Sequence, residues 1–440
     1  MKENRYRVKF RVITPVTVGN DINNKYSPLC DFILINDDVC IIDQVKLGEL
    51  VHKRGLMDEF VGGAGKLNNS QTRFELRNFI ENRLGVKVND LITSKIPLKA
   101  TNINRRKIEI IPMLESAQRP IIPGSSIKGA IKSAILYYWL CNSVNGKLET
   151  DRIIKKISDD YKINRKLVDL LENTTHEIDK LKGKIRNEGR DSGLKKNLII
   201  QKKNLEIKQK SLQNELNGKL KYLISILDSL IRRLLESKEI KDEKGFDFRH
   251  LRISDSLPLM INYRIICEIK RLHLIKGNYS IPQFHEALSP GAQTEANIEI
   301  IPEFRDPELS FMNGSNIQPL LDMINKFSKA SIEHEWQVMD DHAENFSRNP
   351  DVYNDLFSFY EDFSPLIGKK SGTANMRLGF GKSFFDNSLG LAVYQADKDV
   401  FYQYVRLFRL GKPMQKEFPV TRAFCSNPVR PLGWLELSIS

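Results

Sequence analysis

Residues 5–18 alternate. Tyr6, Val8, Phe10 and Val12 fall on one face and Arg5, Arg7, Lys9 and Arg11 on the other, a period of two that predicts a half-buried strand. Its basic face suits contact with phosphates and equally suits an ordinary solvated surface. Apolar runs at 32–35 and 39–42 flank Asn36-Asp37-Asp38 and predict a hairpin. Residues 44–66 read helical and close on Gly62-Gly63-Ala64-Gly65, a loop with no following lysine–serine pair. A helix over 71–83 follows, then extended chain over 95–115 with a basic Arg105-Arg106-Lys107 run.

The pattern changes at Arg119-Pro-Ile-Ile-Pro-Gly-Ser-Ser-Ile-Lys-Gly-Ala130. Pro120 and Pro123 hold an extended approach. Gly124 allows a tight turn, and Ser125 or Ser126 suits an N-cap. Ile127, Ile131, Ile135 and Tyr138 then recur at helical spacing. The first turn carries Lys128 and no carboxylate, the wrong sign for the helix dipole unless an anion sits there too. Free N–H groups, two hydroxyls and Lys128 would form a phosphate seat. The same residues also suit a capped core helix with a solvated lysine.

From 146 to 245 the chain is rich in Lys, Leu, Ile, Asn and Glu, and no proline occurs between Pro123 and Pro258. Leu198, Leu205 and Leu212 repeat every seven residues, which predicts a short antiparallel helical hairpin with Gly183, Gly189 and Gly193 marking its turn. Beyond it, 248–255 and 259–269 read as strands. Lys270, Arg271 and Lys276 lie near a hairpin tip with Tyr279, a pairing of charge and ring that suits stacking plus phosphate contact. Pro290-Gly291 is a turn and 294–301 a strand. Residues 317–329 and 332–346 read as two helices. The stretch 372–391 sets Arg377 and Lys382 beside Gly379, Phe380 and Gly381, and 434–439 closes the chain as a strand.

At 440 residues the chain suits two to three domains, or one domain with large insertions. Its net charge of +13 is uneven: residues 146–245 hold 25 Lys or Arg against 17 acidic residues, so net charge alone says little about an RNA partner. Five cysteines, at 30, 40, 141, 267 and 425, include no C-x-x-C pair, which excludes a zinc ribbon and a disulfide framework and fits a reducing compartment. With no apolar signal core and no apolar run near the ~20 residues of a membrane span, the expectation is a soluble cytoplasmic protein with no membrane partner.

The loop and helix at Pro123-Gly-Ser-Ser-Ile-Lys-Gly-Ala130 resemble the signature of the RAMP superfamily, the RNA-binding subunits of CRISPR effector complexes. Further matching stretches are Ile13-Thr-Pro-Val-Thr-Val-Gly19, Leu251-Arg-Ile-Ser-Asp-Ser256, Glu286-Ala-Leu-Ser-Pro-Gly291, Arg377-Leu-Gly-Phe-Gly-Lys-Ser383 and Pro431-Leu-Gly-Trp434. Their order over nearly the whole chain carries the resemblance, which is strongest to the filament-capping fifth Csm subunit family of type III-A complexes. The second half of the family's glycine-rich loop departs here, reading Gly390-Leu391-Ala392 after a longer spacer.

The resemblance implies an α+β fold with a ferredoxin-like, RRM-type core and large helical and hairpin insertions. The first part of the core would span 1–145 with an insertion at about 20–115. A helical insertion would fill 146–245, and the rest of the core 246–440, with an arm across the guide within 257–290. The implied partners are guide RNA (crRNA), bound at its 3′ region, neighbouring Csm backbone subunits and trimming nucleases that mature the guide. The candidate RNA-binding residues are Gly124, Ser125, Ser126, Lys128, Lys132, Arg264, Lys270, Arg271, Arg377, Phe380 and Lys382.

Catalytic alternatives are weaker. Gly381-Lys382-Ser383 resembles the end of a P-loop, but the required first glycine is Met376. RAMP processing enzymes cut guide precursors without metal through a positioned histidine, tyrosine or lysine, which leaves endonuclease as the alternative function. The seven histidines are scattered, none beside the glycine-rich loops in sequence, and His250 reads as structural. Asp21 and Asp31 lie where a related backbone subunit keeps a cleavage aspartate, yet Asp21 sits in an Asn-rich turn where aspartate is routine. No residue spacing calls for a metal or other cofactor.

Overall fold

The computed structural model describes residues 4–19, 25–64, 74–100, 108–188, 193–235, 251–301, 307–314, 316–347, 350–411 and 417–439. Asp21, the 105–107 basic run, Gly189 and His250 lie outside them. The alternating stretch forms β1 (Arg5–Val12), with Val8, Phe10 and Val12 buried. The predicted hairpin is β2 (Phe32–Ile35) and β3 (Asp38–Ile42), turned at Asn36 with φ +54°. α1 (Gln44–Lys53) starts at Asp43, whose carboxylate accepts the Lys46 N–H, and α2 (Met57–Ala64) follows. A short α3 (Leu76–Asn78) runs into a π-helical turn through Arg83. Then come β4 (Ile92–Lys99), β5 (Ile110–Ile111), β6 (Glu115–Ser116) and β7 (Arg119–Pro120).

α4 (Gly124–Asn142) leads through Ser143 into two long helices, α5 (Val144–Asn187) and α6 (Gly193–Leu235). They form an antiparallel hairpin far longer than the leucine repeat predicts; 44 helical residues span about 66 Å. Leu198, Leu205 and Leu212 are half-buried, Leu216, Leu220 and Leu223 fully so. Of the glycines expected at the turn, Gly183 lies inside α5 and Gly193 opens α6.

The remaining strands are β8 (Leu251–Ile253), β9 (Arg264–His273), β10 (Asn278–Tyr279), β11 (Gln283–Leu288) and β12 (Gln293–Ile300). After them come α7 (Gln318–Asp341), α8 (Pro350–Phe363), β13 (Thr373–Arg377), α9 (Gly390–Ala396) and α10 (Lys398–Leu407). β14 (Thr421–Ser426), β15 (Val429–Pro431) and β16 (Trp434–Ile439) end the chain. The two helices expected around residue 330 are the single helix α7, because no proline or glycine falls between Pro319 and its end.

A five-stranded sheet runs β13-β16-β1-β12-β8, antiparallel throughout. Val8, Phe10, Met376, Leu435 and Leu437 from this sheet join Ile127 and Ile131 of α4 and Leu320 and Ile324 of α7 in one core. The basic outer face of β1 is partly neutralised: Arg7 pairs with Glu295, and Arg11 lies 3.4 Å from Glu436. A second, nine-stranded sheet follows the path β15-β14-β9-β4-β3-β2. Residues 257–290 supply its β9, β10 and β11, and β9 pairs with β4, β10, β11 and β14. Among the described residues no helix is long and apolar enough to cross a membrane.

Candidate functional site

The start of α4 is built differently from its sequence expectation. Pro123, not Ser125 or Ser126, is the N-cap residue, and it offers no side-chain bond. The anion comes from across the chain: the Gly124 N–H donates to Asp255 Oδ1 at 2.7 Å. Ser256 Oγ accepts the Ile122 N–H at 2.9 Å, locking 251–256 against the approach to the helix. A Cβ on Gly124 would stand 2.5 Å from the Ile253 carbonyl oxygen, so only glycine fits. The first N–H that a phosphate would use therefore serves a protein carboxylate. Ser125 is exposed, and Ser126, Lys128 and Lys132 are half-buried on the outer side of α4.

Four of the other singled-out stretches meet at a second place. The Phe380 N–H donates to Thr17 O at 2.8 Å, the Gly433 N–H to Pro15 O at 2.9 Å, and the Leu378 N–H to Gly433 O at 2.7 Å. Val16 pairs with Leu288. Gly379 has φ +72°, and a Cβ there would lie 2.1 Å from Thr17 O. Arg377, expected to touch RNA, instead braces this glycine strip from inside. Its guanidinium is 5% exposed and donates to Asp386 Oδ2 (3.0 Å), Leu432 O (2.9 Å) and Gly381 O (2.9 Å). Burial opposes charge on both groups, but their attraction prevails, raising Arg377 and lowering Asp386. Asp386 also accepts from Ser331 Oγ and the Ser383 N–H.

Above this brace lies a cleft of about 260 Å³. Its lining joins Arg271 of β9, and Thr421, Arg422 and Ala423 of the adjacent β14, to Gly379, Phe380, Gly381, Lys382, Ser383 and Asn387. Arg271 and Lys382 bring positive charge to it, the Arg422 guanidinium is committed to buried Glu335, and none of the described lining residues is a carboxylate. Phe380 is held flat: the His285 ring stacks behind it at 4.5 Å and 28°, and the Arg271 guanidinium carbon lies 5.5 Å from its centroid. Burial holds the Lys382 ammonium below its ordinary range, partly countered by Asp386. Such a site offers a flat ring for stacking and positive charge for phosphate.

Two residues here escaped sequence reasoning. Arg422 is 4% exposed and ion-paired with buried Glu335, yet its Nη2 has no hydrogen-bond partner among the described residues. His285 sits on β11, far in sequence from the strip, and only the pairing of β11 with β9 beside Arg271 brings it there. Burial and the nearby Arg271 push its pKa down to about 4, and neither ring nitrogen has a hydrogen-bond partner among the described residues. Covered by Phe380, it supports that ring from behind.

Arg264, another of the candidates, also points inward. It is 6% exposed, ion-paired with fully buried Glu286 and 2.8 Å from Glu115, so its charge is spent inside the protein. Lys270 is mostly covered, 3.2 Å from Glu268 and 5.4 Å from the Tyr279 ring centroid. The structure thus unites Arg271, Phe380 and Lys382, turns Arg264 and Arg377 inward, and leaves Lys128 outside the lining of the cleft.

The RAMP superfamily profile matches residues 9–382. The CRISPR system Cms protein Csm5 of Methanocaldococcus jannaschii is 22% identical over 465 positions, covering 98% of this chain and 88% of that protein. A chain of the cryo-EM structure of a Csm–crRNA–target RNA ternary complex in a type III-A CRISPR-Cas system superposes with a TM-score of 0.58 at 18% identity. The match covers 99% of this chain and 100% of that one. The crystal structure of T. onnurineus Csm5 gives 0.56 at 18% identity, covering 97% and 99%. At such identities the structural likeness concerns the fold.

Proposed function

The chain belongs to the RAMP superfamily, and on that premise we propose that it is a non-catalytic RNA-binding subunit of a type III-A CRISPR effector complex. It caps the backbone filament, binds the 3′ region of the guide RNA, supports guide maturation and contacts neighbouring Csm subunits and trimming nucleases. Whole-length likeness to a chain of the Csm–crRNA–target RNA complex supports this placement. The observation that carries RNA binding is the cleft, where Arg271 lies over a braced aromatic ring, Lys382 lines the same opening and no carboxylate is among the described lining residues. Phe380 stacks on a base while Arg271 and Lys382 hold its phosphates. The sheet order supports a ferredoxin-like core made of β1, α4, β8, β12, α7 and β16, since β16-β1-β12-β8 is the strand arrangement such a core has. The core parts are then 1–145 and 246–440, with the 146–245 hairpin inserted after its first helix.

The alternative, a metal-free guide-processing endonuclease, needs an acid or base at the cleft; of the histidine, tyrosine or lysine it could use, Lys382 is the one among the described lining residues. The histidine nearest the ring, His285, is 3% exposed and lies beneath Phe380. Incubating the purified full chain with labelled repeat-containing guide RNA, with and without chelator, separates the two readings. A shifted, intact band is expected under both conditions; discrete cleavage products would instead establish the nuclease.

A further inference from the structure

The hairpin of α5 and α6 holds a second concentration of charge, and none of its residues is among those that line the cleft. The body grips its lower part. Arg406 of α10 reaches Glu172 at 2.6 Å and Asp169 at 2.7 Å, and Arg409 reaches Gln213 at 2.6 Å and Thr175 at 2.9 Å. Past Ile178 on α5, and before Leu216 on α6, no described side chain is fully buried. The α5 end therefore extends ~14 Å beyond its last core residue.

That end is strongly basic. Residues 179–188 and 193–210 hold ten Lys or Arg and three acidic residues, a net of +7 in a chain of +13. Asp179 and Glu206 are each engaged by a lysine, Lys182 at 2.9 Å and Lys202 at 3.2 Å. Lys180, Lys184, Arg186, Lys196, Lys203 and Lys208 are exposed. The first turn of α6 contains no acidic residue, so Lys195 and Lys196 oppose the helix dipole as well as each other. At 100° per residue Lys180 and Lys184 fall on α5 opposite Lys182 and Arg186, while on α6 five of the six lysines share an arc of about 120° and Lys208 lies opposite them. A rigid protein surface would meet one of these faces; a flexible polyanion can follow the α6 stripe and reach the opposed cations of α5 as well.

We propose that the hairpin tip is a second nucleic-acid contact, holding the sugar–phosphate backbone of single-stranded RNA without regard to sequence. The proposal rests on the reading that the chain works on RNA, but it uses a surface separate from the cleft. Each phosphate neutralised releases a condensed counterion, so the contact has a defined salt signature.

The test is fluorescence anisotropy of a 30-nucleotide unstructured RNA with the full chain between 50 and 300 mM salt. The tip variant is Lys184→Gln/Arg186→Gln/Lys196→Gln/Lys203→Gln. A second variant replaces residues 179–208 with a short Gly-Ser loop, leaving the gripped base of the hairpin in place. Both should bind about tenfold more weakly at ~0.1 M salt, with the slope of log K against log salt flatter by about 3 for the four substitutions. A cleft variant, Phe380→Ala/Lys382→Ala, reports independently. If the tip variants lose affinity while the cleft variant binds like the unaltered chain, the tip proposal stands and the cleft reading fails. If both tip variants match the unaltered chain in affinity and slope, the tip proposal is overturned, whatever the cleft variant does.

Discussion

Arg377 and Lys382 are five positions apart and have opposite tasks. Lys382 lines the cleft, whereas Arg377 lies beneath it with all its charge committed to Asp386 and two carbonyl oxygens. Removing one member of a buried ion pair leaves the other unpaired in a poorly solvated site, at a cost of about 3–5 kcal/mol. Arg377→Ala should therefore lower the unfolding free energy measured in urea by an amount in that range, while Lys382→Ala, which leaves the Arg377–Asp386 pair intact, lowers it by less than ~0.5 kcal/mol. Equal stability of the two variants would place Arg377 in the cleft after all. Composition and glycine spacing marked both as cations near a close-approaching backbone, but the direction of a side chain depends on remote acids. For Arg264 the deciding acid is Glu286, 22 residues on; for Arg377 it is Asp386, nine residues on.

At the scale of elements, hydrophobic pattern was a good guide wherever structure is local. The alternation at β1, the turn at Asn36 and the closing strand from Trp434 are where the residues place them. The start of α4 was misassigned because its capping carboxylate is 131 residues away, and no local signal announces Asp255. Asp255→Ala should cost about 1 kcal/mol, the usual value of a lost N-terminal cap, measured as a lower unfolding midpoint at unchanged denaturant slope. Ser125→Ala and Ser126→Ala should each cost well under that; a larger loss at either serine would restore it as the cap. The hairpin was legible as a leucine repeat, but its length was not, because only Leu198, Leu205 and Leu212 hold strict seven-residue spacing in its polar upper part.

In the whole molecule, what matters is the meeting of stretches that are far apart in sequence. Residues 13–19, 286–291, 377–383 and 431–434 were recognisable by their order, and hydrogen bonds among Pro15, Thr17, Leu378, Phe380 and Gly433 turn that order into one braced glycine strip. The cleft above it needed β9 and β14 to pair across about 150 residues, which no reading of periodicity supplies. The most direct test of the account is RNA affinity against salt for the full chain and for Arg271→Ala/Lys382→Ala, using the 3′ region of a guide as ligand. Two lost phosphate contacts should weaken binding by roughly tenfold at ~0.1 M salt and flatten the salt slope by about 1.4, with the thermal midpoint unchanged. A double variant that keeps both the affinity and the slope of the unaltered chain would contradict the assignment of this cleft to RNA.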